Sequence, residues 1–66
     1  MNDSSVLEKI KHRSLSDQVL HVQMGIQIAH GLTTIGQRSE AEHMISEMIE
    51  ILWNVAEELE ADHVND

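Results

Sequence analysis

The stretch from Leu20 to Ile28, LHVQMGIQI, alternates apolar residues with polar or small ones, as a half-buried β-strand does. The chain contains hardly another strand-like segment with which it could pair. On a helical projection at about 100° per residue, the region carries two apolar stripes on roughly opposite sides. One stripe contains Leu15, Val19, Val22, Ile26 and Ala29, and the other contains Leu20, Met24, Ile28, Leu32 and Ile35. We therefore expect a helix with two apolar faces.

Helix start signals precede this region. The Ser5–Glu8 motif fits a capping box and predicts a short helical segment over about residues 6–12. Ser16 is the expected N-cap of the next helix, with a hydrophobic staple formed by the residue before it and Leu20. These signals predict one N-terminal helical segment over about residues 5–35, with a kink near residues 13–16.

A glycine loop and an amphipathic helix follow. Gly31 or Gly36 can take the left-handed position that ends a helix, which predicts a loop at residues 36–39 and a C-terminal helix over about residues 40–61. Apolar residues recur there with heptad spacing, at Ala41, Ile45, Met48, Leu52, Val55 and Leu59. The sequence predicts one all-α domain, a helical hairpin that dimerises into a helix bundle.

Chain length favours that dimer. A 66-residue chain buries only about 60% of the surface that its unfolded form exposes, and this one has no cysteine for a disulfide. We expect oligomerisation, with a homodimer interface formed by Val19, Val22, Met24, Ile26, Ile28, Ile45, Met48, Leu52, Val55 and Leu59.

Charge is distributed unevenly along the chain. All four Lys and Arg residues precede residue 39, whereas nine of the twelve acidic residues follow it. The acidic back of the C-terminal helix is either a solvated face that maintains solubility or a surface for a basic protein. The second interpretation predicts a partner surface formed by Glu47, Glu50, Trp53 and Glu57.

Catalytic and ligand-binding motifs are missing from the sequence. It has no Cys or Tyr and no glycine-rich phosphate loop, so we expect no enzyme, no catalytic residue and no cofactor. Glu40 and His43 form the Glu-x-x-His pair of di-iron bundles, but the second pair that such sites need is absent, so we expect no metal. No run of 18 apolar residues and no secretory leader is present, which predicts a cytoplasmic protein without a membrane span.

A basic segment, a helix starting at SLSDQVL, a glycine loop and GQRSEAEHMISEMIEIL together resemble the ribbon-helix-helix family of DNA-binding regulators and antitoxins. The resemblance covers about residues 9–52. It implies a two-stranded ribbon on which Lys9, Lys11 and Arg13 read the major groove. A DNA-binding transcriptional regulator or antitoxin is therefore the alternative function.

In size, charge and helical pattern the chain also resembles the small acidic accessory proteins encoded in the early regions of lambdoid phages. This resemblance implies an action on host or phage regulation. The function that we expect is a non-enzymatic, regulatory protein–protein interaction module that acts as a homodimer. A purely structural subunit of a hetero-complex is a further alternative.

Overall fold

A computed structural model describes the backbone of residues 6–64 and the side chains of residues 6–61. Three α-helices form this part of the chain: α1 (Val6–Ile10), α2 (Leu15–Thr34) and α3 (Arg38–Val64). No strand occurs among the described residues. The predicted all-α helical hairpin is confirmed, with α2 and α3 as its two arms and α1 packed against α3. The proposed capping residue Ser5 lies outside the described residues.

The N-terminal segment is two helices rather than one kinked helix. Helix α2 is capped by Ser14, whose Oγ accepts a hydrogen bond from the Asp17 backbone N–H at 3.1 Å. The N-cap predicted at Ser16 is therefore two residues late. The turn between the helices is held by the side chain of Gln18, whose Nε2 donates to the backbone carbonyl of Arg13 at 2.9 Å.

Gly36, rather than Gly31, ends α2. Its φ of 83° lies in the left-handed region that glycine adopts without strain. The backbone N–H of Gly36 donates to Thr33 O at 3.2 Å, and that of Gln37 donates to Leu32 O at 2.9 Å. This is the Schellman pattern, which satisfies two of the last carbonyls of α2. The loop is short, so α3 begins at Arg38, two residues before the predicted start.

The hairpin core lies along one seam of α2. The buried residues of this helix are Gln18, Val22, Gly25 and Ala29. From α3 and α1, the buried hydrophobic residues are Ala41, Met48, Ile51, Val55 and Ile10. The seam leaves other apolar residues of α2 exposed: Val19 and Ile26 of the first predicted stripe, and Leu20, Met24, Ile28 and Ile35 of the second.

The two arms pack closely at Gly25, where a Cβ would overlap the Sδ and Cγ atoms of Met48. Nearer the α1–α2 turn, the side chain of Asn54 in α3 donates a hydrogen bond to the side chain of Gln18 in α2 at 3.0 Å. These two contacts fix the antiparallel register: Gly25 lies at the level of Met48, and Gln18 at the level of Asn54. This register places the surface residues of the two arms relative to one another.

Candidate interaction surfaces

One side of the hairpin presents large aliphatic side chains to solvent from both arms. We call this surface the open face and define it as Val19, Ile26, Ile45, Ile49, Leu52 and Leu59. Their exposed fractions lie between 38% and 54%. Spacings of seven residues keep Val19 with Ile26, and Ile45 with Leu52 and Leu59, on the same side of their helices.

The open face is continuous across the groove between the arms. Val19 of α2 and Leu59 of α3 line one hollow of about 500 Å³, with Val55 between them. A second hollow of about 300 Å³, lined by Ile49, Leu52, Trp53 and Ala56, continues the surface across α3. These hollows are shallow and apolar, which suits packing against another helix rather than binding a small molecule.

Helix α1 packs on the opposite side of the hairpin, which we call the α1 side. A hollow of about 380 Å³ lies there, bordered by Ile10 of α1, Met24 and Ile28 of α2, and Met44 and Glu47 of α3. Methionine side chains adapt their shape easily, so they fill an irregular boundary of this kind well. The α1 side thus differs from the open face in having a third helix packed on it, although Met24 and Ile28 stay exposed there.

The ten residues predicted for the dimer interface fall into three groups. Val22, Met48 and Val55 are buried in the hairpin core, where they pack within the chain rather than at its surface. Met24 and Ile28 are exposed on the α1 side. The remaining five lie on the open face: Val19, Ile26, Ile45, Leu52 and Leu59. The interface itself stays a prediction, but three of its ten residues are already buried within a single chain.

The predicted acidic partner surface is spread around α3. Glu50 and Glu57 lie close together on the helix back, and Trp53, 67% exposed, lies between them and the open face. Glu47 is turned toward the α1 side, where its Oε2 lies 3.3 Å from His43 Nε2. Glu50, Trp53 and Glu57 can therefore contact one partner, whereas Glu47 faces a different direction.

The basic residues of the alternative function do not lie on a ribbon. Lys9 belongs to α1, and Lys11, in the following turn, pairs its Nζ with Glu8 Oε1 at 3.1 Å. Arg13 closes the same turn through its carbonyl group, which accepts from Gln18. Residues 9–13, which would read the major groove in a ribbon, form the end of α1 and the turn that follows it.

Gln18 is the residue that sequence reasoning missed. Its side chain is fully buried, and its Nε2 donates to the turn before α2 while its Oε1 accepts from Asn54. Asn54 also donates to Glu58 Oε2 at 2.9 Å. The network joins the α1–α2 turn to both arms of the hairpin. The signal for Gln18 in the sequence is its spacing: it lies four residues before Val22 and seven before Gly25, on the same side of the helix.

Within the described residues, no group of three or more His, Asp or Glu side chains is arranged to hold a metal ion. None of the helices described has the length and apolarity needed to cross a membrane. Comparisons with protein-family models, curated protein sequences and solved structures give no match for this chain.

Proposed function

We propose that the protein is a non-enzymatic interaction module of the cytoplasm that acts as a homodimer, with the open face as the contact between the two copies. The observation that supports this most strongly is the open face itself. Six large aliphatic residues of two neighbouring helices remain more than a third exposed on one side of the hairpin. Continuous apolar surfaces of this kind are typical of protein–protein contacts.

The small size of the hairpin core also supports a homodimer. Only seven hydrophobic side chains are buried in the described part of the chain. Complete burial of an aliphatic side chain contributes about 1.5–3 kcal/mol, so covering the half-exposed residues of the open face adds substantially to a small core. A second copy offers the same surface at the same concentration, and packing two hairpins gives a four-helix bundle.

Dimerisation through the open face leaves the back of α3 available to another protein. Glu50 and Glu57 are exposed there, with no described Lys or Arg side chain paired to either of them. A basic protein complements this charge, and Trp53 at the border of the surface adds the aromatic contact common in binding hot spots. The resemblance to phage accessory proteins suggests that this contact is regulatory.

The homodimer is tested by light scattering on a sizing column over a concentration series. We expect twice the chain mass of 7.5 kDa for the unaltered protein. Ile26→Asp introduces a charge on the open face and should give a monomer. The matched control is Ile28→Asp, on the same helix but on the α1 side, which should remain dimeric. A monomeric unaltered protein, or equal disruption by both variants, would overturn the proposal.

The partner surface is tested by comparing proteins recovered with tagged dimer and with a Glu50→Lys, Glu57→Lys variant. We expect basic proteins to be recovered by the unaltered dimer and lost from the variant. An Asp17→Lys, Glu40→Lys variant makes the same change in charge at two exposed acids away from the back of α3 and serves as the control. If the two variants recover the same proteins as the unaltered dimer, the acidic back of α3 is only a solvated face.

A further inference from the structure

The two outer edges of the open face differ in charge. On a helical projection, the outer edge along α3 contains Glu42, Trp53 and Glu60. The outer edge along α2 carries no acidic residue and contains Ser16, Gln23, Gln27 and His30. All of these side chains are exposed, so a second copy seated on the open face meets both edges.

Two symmetric arrangements bring open face to open face. With the two-fold axis perpendicular to the helices, α3 lies against α3 and α2 lies against α2. With the axis parallel to the helices, each α3 lies against the α2 of the second copy. Both arrangements make every neighbouring helix pair antiparallel, so helix packing alone does not select between them.

Electrostatics selects between them. When α3 packs against α3 with the axis at Ile51, the midpoint of the helix, the acidic outer edges meet and Glu42 of one copy approaches Glu60 of the other at both ends of the contact. Like charges placed together in this way oppose association. When α3 packs against α2, each acidic edge instead meets the uncharged edge, and the repulsion is avoided.

Symmetry also fixes which residues meet in the second arrangement. A two-fold axis parallel to the helices keeps every residue at its own height, so the register within one hairpin applies between the copies. Gly25 lies at the level of Met48. Ile26 therefore meets Ile45 and Ile49 of the second copy, and His30 meets Glu42 of the second copy at the outer edge.

We propose that the open face is filled by a second copy whose α3 lies along α2, so that the dimer is held by reciprocal α2–α3 contacts with His30 beside Glu42. This inference rests on the proposed function, because it takes the homodimer as its starting point. It goes beyond it by assigning the helix pairs and the register of the contact.

The absence of cysteine from the chain allows a direct test by single-cysteine proteins. Ile26→Cys protein is mixed with Ile45→Cys protein and oxidised mildly. The amount of disulfide-linked pair is then followed over time by mass spectrometry without reducing agent. We expect the mixed disulfide to form at least tenfold faster than in a mixture of Ile45→Cys with Ala56→Cys. The second mixture reports the α3–α3 arrangement, since these two positions face each other only there.

The outcomes separate this inference from the homodimer. Faster crosslinking of Ile45→Cys with Ala56→Cys, in proteins that light scattering shows to be dimers, overturns the α2–α3 arrangement and leaves the homodimer standing. If light scattering shows monomers and neither mixture crosslinks, the homodimer and the arrangement fall together.

A charge exchange gives a second test that requires no crosslink. At pH 8, His30→Glu should place a new acid beside Glu42 of the second copy and raise the dimer dissociation constant about two- to tenfold. Adding Glu42→Lys to the same chain should restore the original value. If His30→Glu has no effect while Glu42→Lys alone tightens the dimer, the acidic edges face each other and the inference is wrong.

Discussion

The two sides of the α2–α3 hairpin differ in what packs over them. On the α1 side, the chain supplies part of the cover itself: Ile10 of α1 enters the core and Gln18 binds both the preceding turn and Asn54, while Met24 and Ile28 stay exposed. On the open face, no further helix of the described chain packs over the half-exposed aliphatic side chains, and these side chains cannot form hydrogen bonds. Directional polar contacts thus define packing within the chain, whereas the open face offers a surface that helices of another chain can share.

Two adjacent residues of α3 give the strongest test of the difference between the hairpin core and the open face. Ile51 is completely buried in the core, and Leu52, the next residue, is 44% exposed on the open face. We expect Ile51→Ala to lower the free energy of unfolding by about 2–5 kcal/mol, because it leaves a cavity between the arms. Leu52→Ala should cost the hairpin less and should weaken dimerisation instead.

Urea unfolding at two protein concentrations distinguishes the two effects. The loss caused by Ile51→Ala should be similar at both concentrations, whereas the loss caused by Leu52→Ala should depend on concentration, as expected for linked association. If both losses depend on concentration in the same way, the core and the open face are not separate units, and the distinction between the two sides fails.

Gln18→Ala gives the next largest expected effect. The substitution removes the acceptor of one Asn54 hydrogen bond and the donor to the Arg13 carbonyl, so we expect a loss of about 1–3 kcal/mol in the free energy of unfolding. Hydrogen exchange should also become faster in α1, since the turn that positions it loses its support. Gln23→Ala, an exposed residue of the same helix, is the control and should change stability little.

The fold class was predictable from the sequence, whereas the helix boundaries were less so. Alternation in residues 20–28 was correctly interpreted as helix, because no second strand was available and the apolar pattern extended beyond the alternating stretch. The N-cap was misplaced because Ser14 and Ser16 both fit the local signal. Only the tertiary contact of Gln18 with the preceding turn distinguishes the two serines.

The candidate interface was predictable only in part. Heptad spacing in α3 identified Ile45 and Leu52 together with Met48 and Val55, but this spacing is the same whether a helix packs within its own chain or against another. The buried seam of α2 was predicted by half: Val22 and Ala29 belong to the first apolar stripe, whereas Gln18 and Gly25 were missed because neither is a large apolar residue. Both fit there through particular neighbours, Asn54 for Gln18 and Met48 for Gly25, which local sequence does not specify.

A smaller effect is expected from alanine at two glycines of α2. Gly25→Ala gains about 1 kcal/mol of helix propensity but forces Met48 out of a closely packed position, for which about 1–3 kcal/mol is typical. We expect a net loss of about 1 kcal/mol in thermal or urea unfolding. At Gly31 an added Cβ meets nothing within 4 Å beyond its own stretch of helix, so Gly31→Ala should stabilise the protein. Equal effects at both positions would contradict the close approach of the arms at Gly25.

The smallest effect is expected from His43→Gln. His43 pairs with Glu47 on the α1 side, and its side chain is 77% exposed, so water screens the contact and the free energy of unfolding should change by no more than about 0.5 kcal/mol. The dimer dissociation constant should not change, since His43 is remote from the open face. A variant of normal stability with a weakened dimer would mean that the α1 side also takes part in assembly. The hairpin would then associate through both the α1 side and the open face, and the two sides would not differ in function.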